Sequence, residues 1–297
     1  MKDLLAHLVG ARNADGGWGA APEMPTDTES TALAVLALGA SGETSSDDAV
    51  RAGLAFLRST QRADGAWPLS GAVPEPSWAT SLCILALAPF DAHREAAVRA
   101  AGWLVVQEGR RPAWLARTLW RLIGGDKVAL DYGIRGWSWN ANSFPWVEPT
   151  AYALIALKKL RARLASAAAA RIQEGERLLL DRMCDAGGWN YGNARVLGDP
   201  LAPYPETTSV ALLALRDRQD DVRLRKSAEV LERLLDATPS GLALGLGILA
   251  LAAYGRRTMR FERQLRNLYS RTRFLGQTSS LAAAALALAG GHERLTP

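Results

Sequence analysis

The sequence predicts an all-α protein, an (α/α)6 barrel or toroid of six helical hairpins with an apolar inner ring, and three observations predict it. The first is a recurring Gly-Trp or Gly-Ala-Trp turn, at Trp18, Trp67, Trp137 and Trp189. In three copies a threonine (Thr31, Thr80, Thr150) follows the Trp by 13 residues, and the last Leu of an apolar run (Leu38, Leu87, Leu157) follows it by 20. Fixed spacings of this kind mark a repeat protein. In the fourth copy Thr208 and Leu215 stand six residues farther on, a surplus assigned to the loop at residues 199–205. The second observation is that amphipathic and wholly apolar segments alternate, six of each. The third is physical. A helix with no polar face must be covered on every side, so the six apolar helices belong inside and the six amphipathic ones outside. An open solenoid would leave the inner helices half uncovered, which favours closure.

In chain order, residues 1–11 place Leu4, Leu5 and Leu8 on one face of a short helix, and a Gly-Trp loop leads to an apolar helix at about 28–38. Residues 47–61 space Val50, Leu54 and Leu57 helically, with Arg51 and Arg58 outside, and precede the apolar helix 77–87. The remaining pairs are 92–107 with 149–160, 165–183 with 207–215, 222–235 with 240–254, and arginine-rich 259–275 with 278–289. Small residues on the inner helices (Gly245, Gly247, Ala282, Ala283, Ala284, Ala285) permit close packing or leave room for a central cavity. Residues 1–297 read as one toroid domain, interrupted in its third hairpin by an insertion, 108–147, forming a mouth loop or lid. That is long for a connection without a role. Inside it Trp114, Leu115, Thr118, Leu119, Leu122 and Ile123 form one apolar stripe opposite Arg117 and Arg121. The stripe fits a helix across the barrel mouth, a lid, or a helix dipping into a membrane interface.

With 297 residues, 48% hydrophobic and 22% charged, the composition is that of a soluble globular protein with a sizeable core. The formal charge of +5 is small for such a length and fits a solvated surface, an anionic membrane surface or a diphosphate ligand. No nucleic-acid partner is expected. Cys83 and Cys184, both read as lying in helices, form no disulfide framework or zinc spacing, so a reducing cytoplasm is the expected compartment. The N-terminus shows no signal-peptide pattern. The longest apolar run, residues 241–254, is too short to cross a bilayer.

Arg51, Phe56 and Leu57, then Gln61, then Gly65-Ala66-Trp67, form a pattern that resembles the QW repeat of squalene and oxidosqualene cyclases. Leu8, Arg12, Gly16 and Trp18 keep the spacing with Arg in place of Gln. With the runs ending in Ala-Leu, the chain resembles the squalene cyclase and prenyltransferase repeat family over essentially its whole length. The resemblance implies a barrel whose long loops gather at one end around a central apolar pocket. Protein prenyltransferases of that superfamily hold zinc through Asp, Cys and His. Here His7, His93 and His292 all lie away from the inner helix carrying Cys83, and Ala79-Thr80 stands where a His-Thr pair would fall, so neither zinc nor another cofactor is expected. Class II cyclases carry an acidic DxDDTA motif whose middle Asp protonates an alkene or epoxide. Asp27-Thr28-Glu29-Ser30-Thr31-Ala32 resembles it, with Glu29 at the protonating position and Ser30 replacing the last acid. Most such cyclases have two barrels, and this chain has residues for one.

Alkene protonation needs an acid held away from bulk water. Burial and a neighbouring carboxylate both keep a carboxyl protonated, which the pair Asp27 and Glu29 can supply. The resulting carbocation is stabilised by aromatic faces, each worth up to about 2 kcal/mol when desolvated. The candidates near the same end are Trp78, Trp139, Phe144, Trp146, Tyr152, Tyr191 and Tyr204, with Glu148 and Glu206 as further substrate-binding residues. No DDxxD ionisation motif occurs, since Asp47-Asp48 and Asp220-Asp221 lack the third Asp. The structural alternative is that Glu29, Glu148 and Glu206 recur because negative charge in a helix's first turn offsets its dipole, with Pro149 at a first helical position. Trp18, Trp67, Trp137 and Trp189 read as wedges between hairpins. Arg256, Arg260 and Arg263 share a face that is either solvated or a membrane contact. The expected function is therefore a class II terpene cyclase-like isomerase acting on a linear, apolar isoprenoid. The competing readings are an isoprenoid- or lipid-binding toroid without chemistry, and an (α/α)6 carbohydrate-active enzyme with paired carboxylates and Trp platforms.

Overall fold

The computed structural model describes residues 1–110, 131–140, 143–164, 166–196 and 198–297, and within them twelve α-helices alternate between two concentric rings. The outer ring holds α1 (Lys2–Gly10), α3 (Asp47–Thr60), α5 (Arg94–Val106), α7 (Ala167–Asp181), α9 (Val222–Asp236) and α11 (Met259–Thr272). The inner ring holds α2 (Thr28–Ser41), α4 (Ala79–Leu87), α6 (Val147–Leu160), α8 (Pro205–Ala214), α10 (Gly241–Ala253) and α12 (Thr278–Leu288). Burial follows composition. Outer α3 buries one stripe (Ala49, Val50, Gly53, Leu54, Leu57), whereas inner α4 is buried at every residue. Each inner helix packs on the next and α12 packs on α2, which closes the ring. Thr278 seals the junction, its N–H donating to Ala20 O at 3.0 Å and its Oγ1 to Gly19 O at 2.6 Å.

The helices pair differently from their reading in sequence. Outer helices α3, α5, α7 and α11 pack mainly on the inner helix that precedes each, α9 packs equally on α8 and α10, and α1 completes the last hairpin against α12. The reason is loop length: short turns join each inner helix to the next outer one, while the long Gly-Trp loops cross to the following hairpin.

Those loops are fastened by a repeated clamp that pairs each Trp with its Thr, across 13 residues in three copies and 19 in the fourth. The backbone N–H of Trp18, Trp67, Trp137 and Trp189 donates to Oγ1 of Thr31, Thr80, Thr150 and Thr208 at 2.9–3.0 Å. The indole Nε1 of the same four residues donates to the carbonyls of Leu8, Leu57, Leu104 and Leu179 at the ends of the outer helices, at 2.6–2.9 Å. Each indole thus joins one outer helix's last turn to the next inner helix's first turn, satisfying carbonyls that a helix end leaves open. The residue before the Trp must be small. A Cβ at Gly17 would lie 2.8 Å from Thr31 Oγ1, and one at Gly188 would lie 2.9 Å from Thr208 Oγ1.

The long loops carry two antiparallel hairpins, β1 (Pro68–Ser70) with β2 (Val73–Pro76) and β3 (Arg195–Val196) with β4 (Asp199–Pro200). The second hairpin absorbs the surplus of the fourth repeat, starting slightly before the 199–205 loop read from sequence. Cys184 lies in the loop after α7, outside any helix, though buried. Pro149 is third in α6, and the first-position proline is Pro205 of α8. Arg256 and Arg260 reach Glu229, Glu232 and Asp236 of α9, so most of that basic face is engaged by ion pairs. The apolar stripe from Trp114 to Ile123 lies outside the described residues. Among the described residues no helix is long and apolar enough to cross a membrane.

Candidate active site

Because every long loop enters an inner helix at its N-terminus, all six inner N-termini ring one mouth. Counting two residues back from the clamp threonines places Glu29, Trp78, Glu148 and Glu206 at one repeat position. The same step past Ser240 and Gln277, which flank α10 and α12, gives Leu242 and Ser279. Five of these six, Glu206 excepted, line a single axial cavity. One turn deeper the wall is Leu33, Leu82, Tyr152, Leu246 and Ala283, then Leu36, Leu249 and Leu286, with Leu295 also contributing. About 490 Å³ of empty space lies between these walls, counting the open mouth, and about 40 Å³ of it is wide enough to seat the centre of a water molecule. The hub is hollow, narrow and almost wholly hydrocarbon below its rim.

The two acids of the Asp27-to-Ala32 motif have separate environments. Asp27 is the N-cap of α2, and its carboxylate accepts from Ser30 N–H at 2.7 Å and from Ser30 Oγ at 2.8 Å. Burial pushes its pKa up and these two donors oppose the shift. Its backbone pairs with Trp18 and Ser70, tying two mouth loops together. Glu29, two residues on, faces the cavity, and among the described residues no hydrogen-bond donor or cation stabilises its charge. Burial, aided by the charge of Asp27, raises it to about 7. Glu148 is in the same state: burial, then repulsion from Glu29 and Glu206, raises it to about 7. The phenol of Tyr152, 4% exposed, lies one turn below Glu148 and is pushed well above its ordinary range by burial and by both carboxylates. Glu206 sits at the rim, where Ser240 Oγ approaches its carboxylate at 3.4 Å.

The aromatic candidates separate into groups. Trp78 lies against Tyr152, ring centroids 5.7 Å apart, and Trp139 meets Trp78 edge-on at 4.8 Å, so Trp139 supports the cavity wall from behind. Phe144 and Trp146 do not reach the hub; they line a separate cleft with Ile134, Pro145, Arg182 and Asn193. Tyr191 and Tyr204 pair with each other at 5.3 Å and are about half exposed. The sequence reading missed Leu242 and Ser279, whose hairpins lack the Gly-Trp turn, while Ala283, read as a small residue that packs closely or leaves room for a cavity, does line it. Leu33, Leu82 and Leu246 were hidden by composition, since every face of an inner helix is apolar. Only the repeat register, two residues back from Thr and then four on, picks out the axial face. No metal-binding group of three or more His, Cys, Asp and Glu side chains occurs among the described residues.

No family profile matches the chain, and no curated protein matches it. Solved structures do. A type II terpene cyclase from Scytonema aligns over 99% of this chain and 97% of its own at 16% identity, TM-score 0.58. The ent-copalyl diphosphate synthase from Streptomyces platensis aligns over 89% of this chain at 16% identity, TM-score 0.60. This chain spans 50% of that synthase. An α-amylase from Clostridium perfringens aligns over 97% of this chain and 96% of its own at 10% identity, TM-score 0.68. The likeness is one of fold. The (α/α)6 toroid is common to these terpene cyclases and glycosidases, and the chemistry of this chain has to be argued from its own hub.

Proposed function

We propose that the chain is a class II terpene cyclase-like enzyme, an isomerase that starts cyclisation of a linear isoprenoid by protonating it in the axial cavity. One observation carries the reading: Glu29, an acid without a counter-charge among the described residues, stands on a cavity whose deeper wall is leucine, alanine and one tyrosine. With its pKa near 7, Glu29 still carries its proton in a large fraction of molecules at neutral pH. In the proposed step the alkene π-electrons take that proton. A C–H bond forms, the O–H bond breaks, and a carboxylate faces a carbocation. Ring closure follows as a second double bond attacks the cation, and loss of a proton from carbon restores the acid, so the net change is an isomerisation. Trp78 and Tyr152 offer π-faces to the cation, worth up to about 2 kcal/mol each when desolvated. Asp27 acts through Glu29: it caps α2 and its charge helps to keep the Glu29 proton in place.

The glycosidase alternative also uses paired carboxyls, but a sugar would leave its hydroxyls unpaired against Leu33, Leu82 and Leu246, at a cost of about 1–3 kcal/mol for each buried polar group. The part of the resting cavity that can seat a water centre, about 40 Å³, is far below an ordinary ligand pocket of roughly 300–1,000 Å³, so the leucine side chains must change rotamer as a chain enters. Incubation with squalene, oxidosqualene and linear prenyl diphosphates, followed by product analysis, tests the proposal. Cyclic products are expected from the wild type, lost in Glu29→Gln and retained at reduced rate in Asp27→Asn. Turnover is expected to fall as pH rises through 7, as Glu29 ionises. Tight binding with no cyclic product from any substrate would leave a binding toroid instead.

A further inference from the structure

We propose that Leu295, on the C-terminal 3-10 turn Gly291–Leu295, is the floor of the axial cavity and sets the length of apolar chain that the site accepts. The inference rests on the reading that this cavity takes a linear apolar ligand. Leu295 is one of the cavity's walls and is 1% exposed. Its neighbours His292, Glu293 and Thr296 line a different cavity at the far end, together with Arg216, Asp217 and Ala253. That far cavity has about 490 Å³ wide enough to seat a water, against about 40 Å³ in the hub. One leucine side chain therefore stands between a narrow apolar tube and a wider, more open recess of mixed polarity.

The partition belongs to a strap and not to the ring. The turn packs on α2, α10 and α12. It is bolted to α2 by Arg294, whose Nη2 donates to Gly39 O at 3.3 Å, and to α6 by Lys159, whose Nζ donates to Glu293 O at 2.7 Å. A change in the size of Leu295 therefore alters the floor while leaving the contacts between inner helices in place. From the rim layer at Glu29 to the third layer at Leu36 is seven residues, about 10 Å of helix. A chain longer than that meets Leu295, and a smaller residue there opens the way into the far cavity.

The test is calorimetric titration of the full chain with geraniol, farnesol and geranylgeraniol. In the wild type, affinity rises with length until the floor is reached and then drops by roughly tenfold for the next alcohol. Leu295→Ala moves that cut-off to a longer alcohol, and Leu295→Phe moves it to a shorter one. Should Leu295→Ala fail to fold, as judged by circular dichroism, Leu295→Val replaces it with a smaller shift in the same direction. An unchanged cut-off in folded variants, with wild-type binding intact, overturns the floor alone. No binding of any alcohol to the wild type overturns the floor and the isoprenoid site together.

Discussion

At the C-terminal ends of the inner helices, Lys158, Lys159, Arg216 and Arg294 each donate to a carbonyl at the end of a neighbouring element; at the N-terminal ends, Glu29 and Glu148 meet neither a donor nor a cation among the described residues. Both sets obey the helix dipole, cations at the negative end and anions at the positive one. They differ in what surrounds the charge. Lys158 is only 5% exposed, yet its Nζ reaches Ala214 O at 2.8 Å, Asp217 at 2.6 Å and Glu176 at 2.7 Å. Every proton it can donate is used, so the group is structural. The mouth carboxyls face a hydrocarbon-lined tube, which destabilises their ionised forms and keeps them chemically available. A dipole argument alone does not distinguish the two ends; the presence or absence of a partner does.

The contrast is broken most severely at the paired end. Lys158→Ala strips the shared cation from two carboxylates and a carbonyl, and is expected to cost roughly 3–5 kcal/mol, read as a drop in urea midpoint at constant m-value. At the mouth the sign reverses. The folded pKa near 7 lies above the ordinary carboxyl value of 4.5 for both Glu29 and Glu148. The folded state therefore holds these protons more tightly than the unfolded chain does. The penalty is absent below the unfolded value, grows as pH rises between the two values and is complete above 7. Glu29→Gln and Glu148→Gln should each stabilise the protein by about 3 kcal/mol at pH 8 and by less than about 1 kcal/mol at pH 5. Thermal melts at the two pH values check this, and a variant less stable than wild type at pH 8 would show that these acids have partners after all. The smallest effects belong to Asp27. Asp27→Ala should cost about 1 kcal/mol through loss of the α2 cap, whereas Asp27→Asn, an equally good cap, should be nearly neutral. A large loss in Asp27→Asn would mean that its charge, and not its geometry, is what the fold needs.

The Trp-to-Thr spacing was legible as a repeat before its cause was visible: one hydrogen bond recurs between the same two points of loop and helix, across 13 residues in three copies and across 19 where a hairpin is inserted. Asp27 and Glu29 were legible as a pair of acids. Their division into a cap and a cavity acid was not, since a helix turn separates side chains two residues apart by nearly half a circle. Glu148 came from the same repeat position as Glu29 and was read as a substrate contact; that no described residue pairs with it depends on where the other elements are placed. Phe144 and Trp146 were grouped with the hub because they precede an inner helix, but the loop turns them into a cleft of their own.

What the sequence determined by itself is the alternation of one-sided and all-sided apolar helices, and with it two rings and a mouth ringed by inner N-termini, since burial of an all-round apolar helix allows few other arrangements. Tertiary structure alone decided which inner helix each outer helix packs on, which of several leucines face the axis, and that Leu295 stands between two cavities. Those outcomes depend on rotational setting and on contacts between residues far apart in the chain, and neither leaves a periodic trace in a sequence where every face of an inner helix is equally apolar.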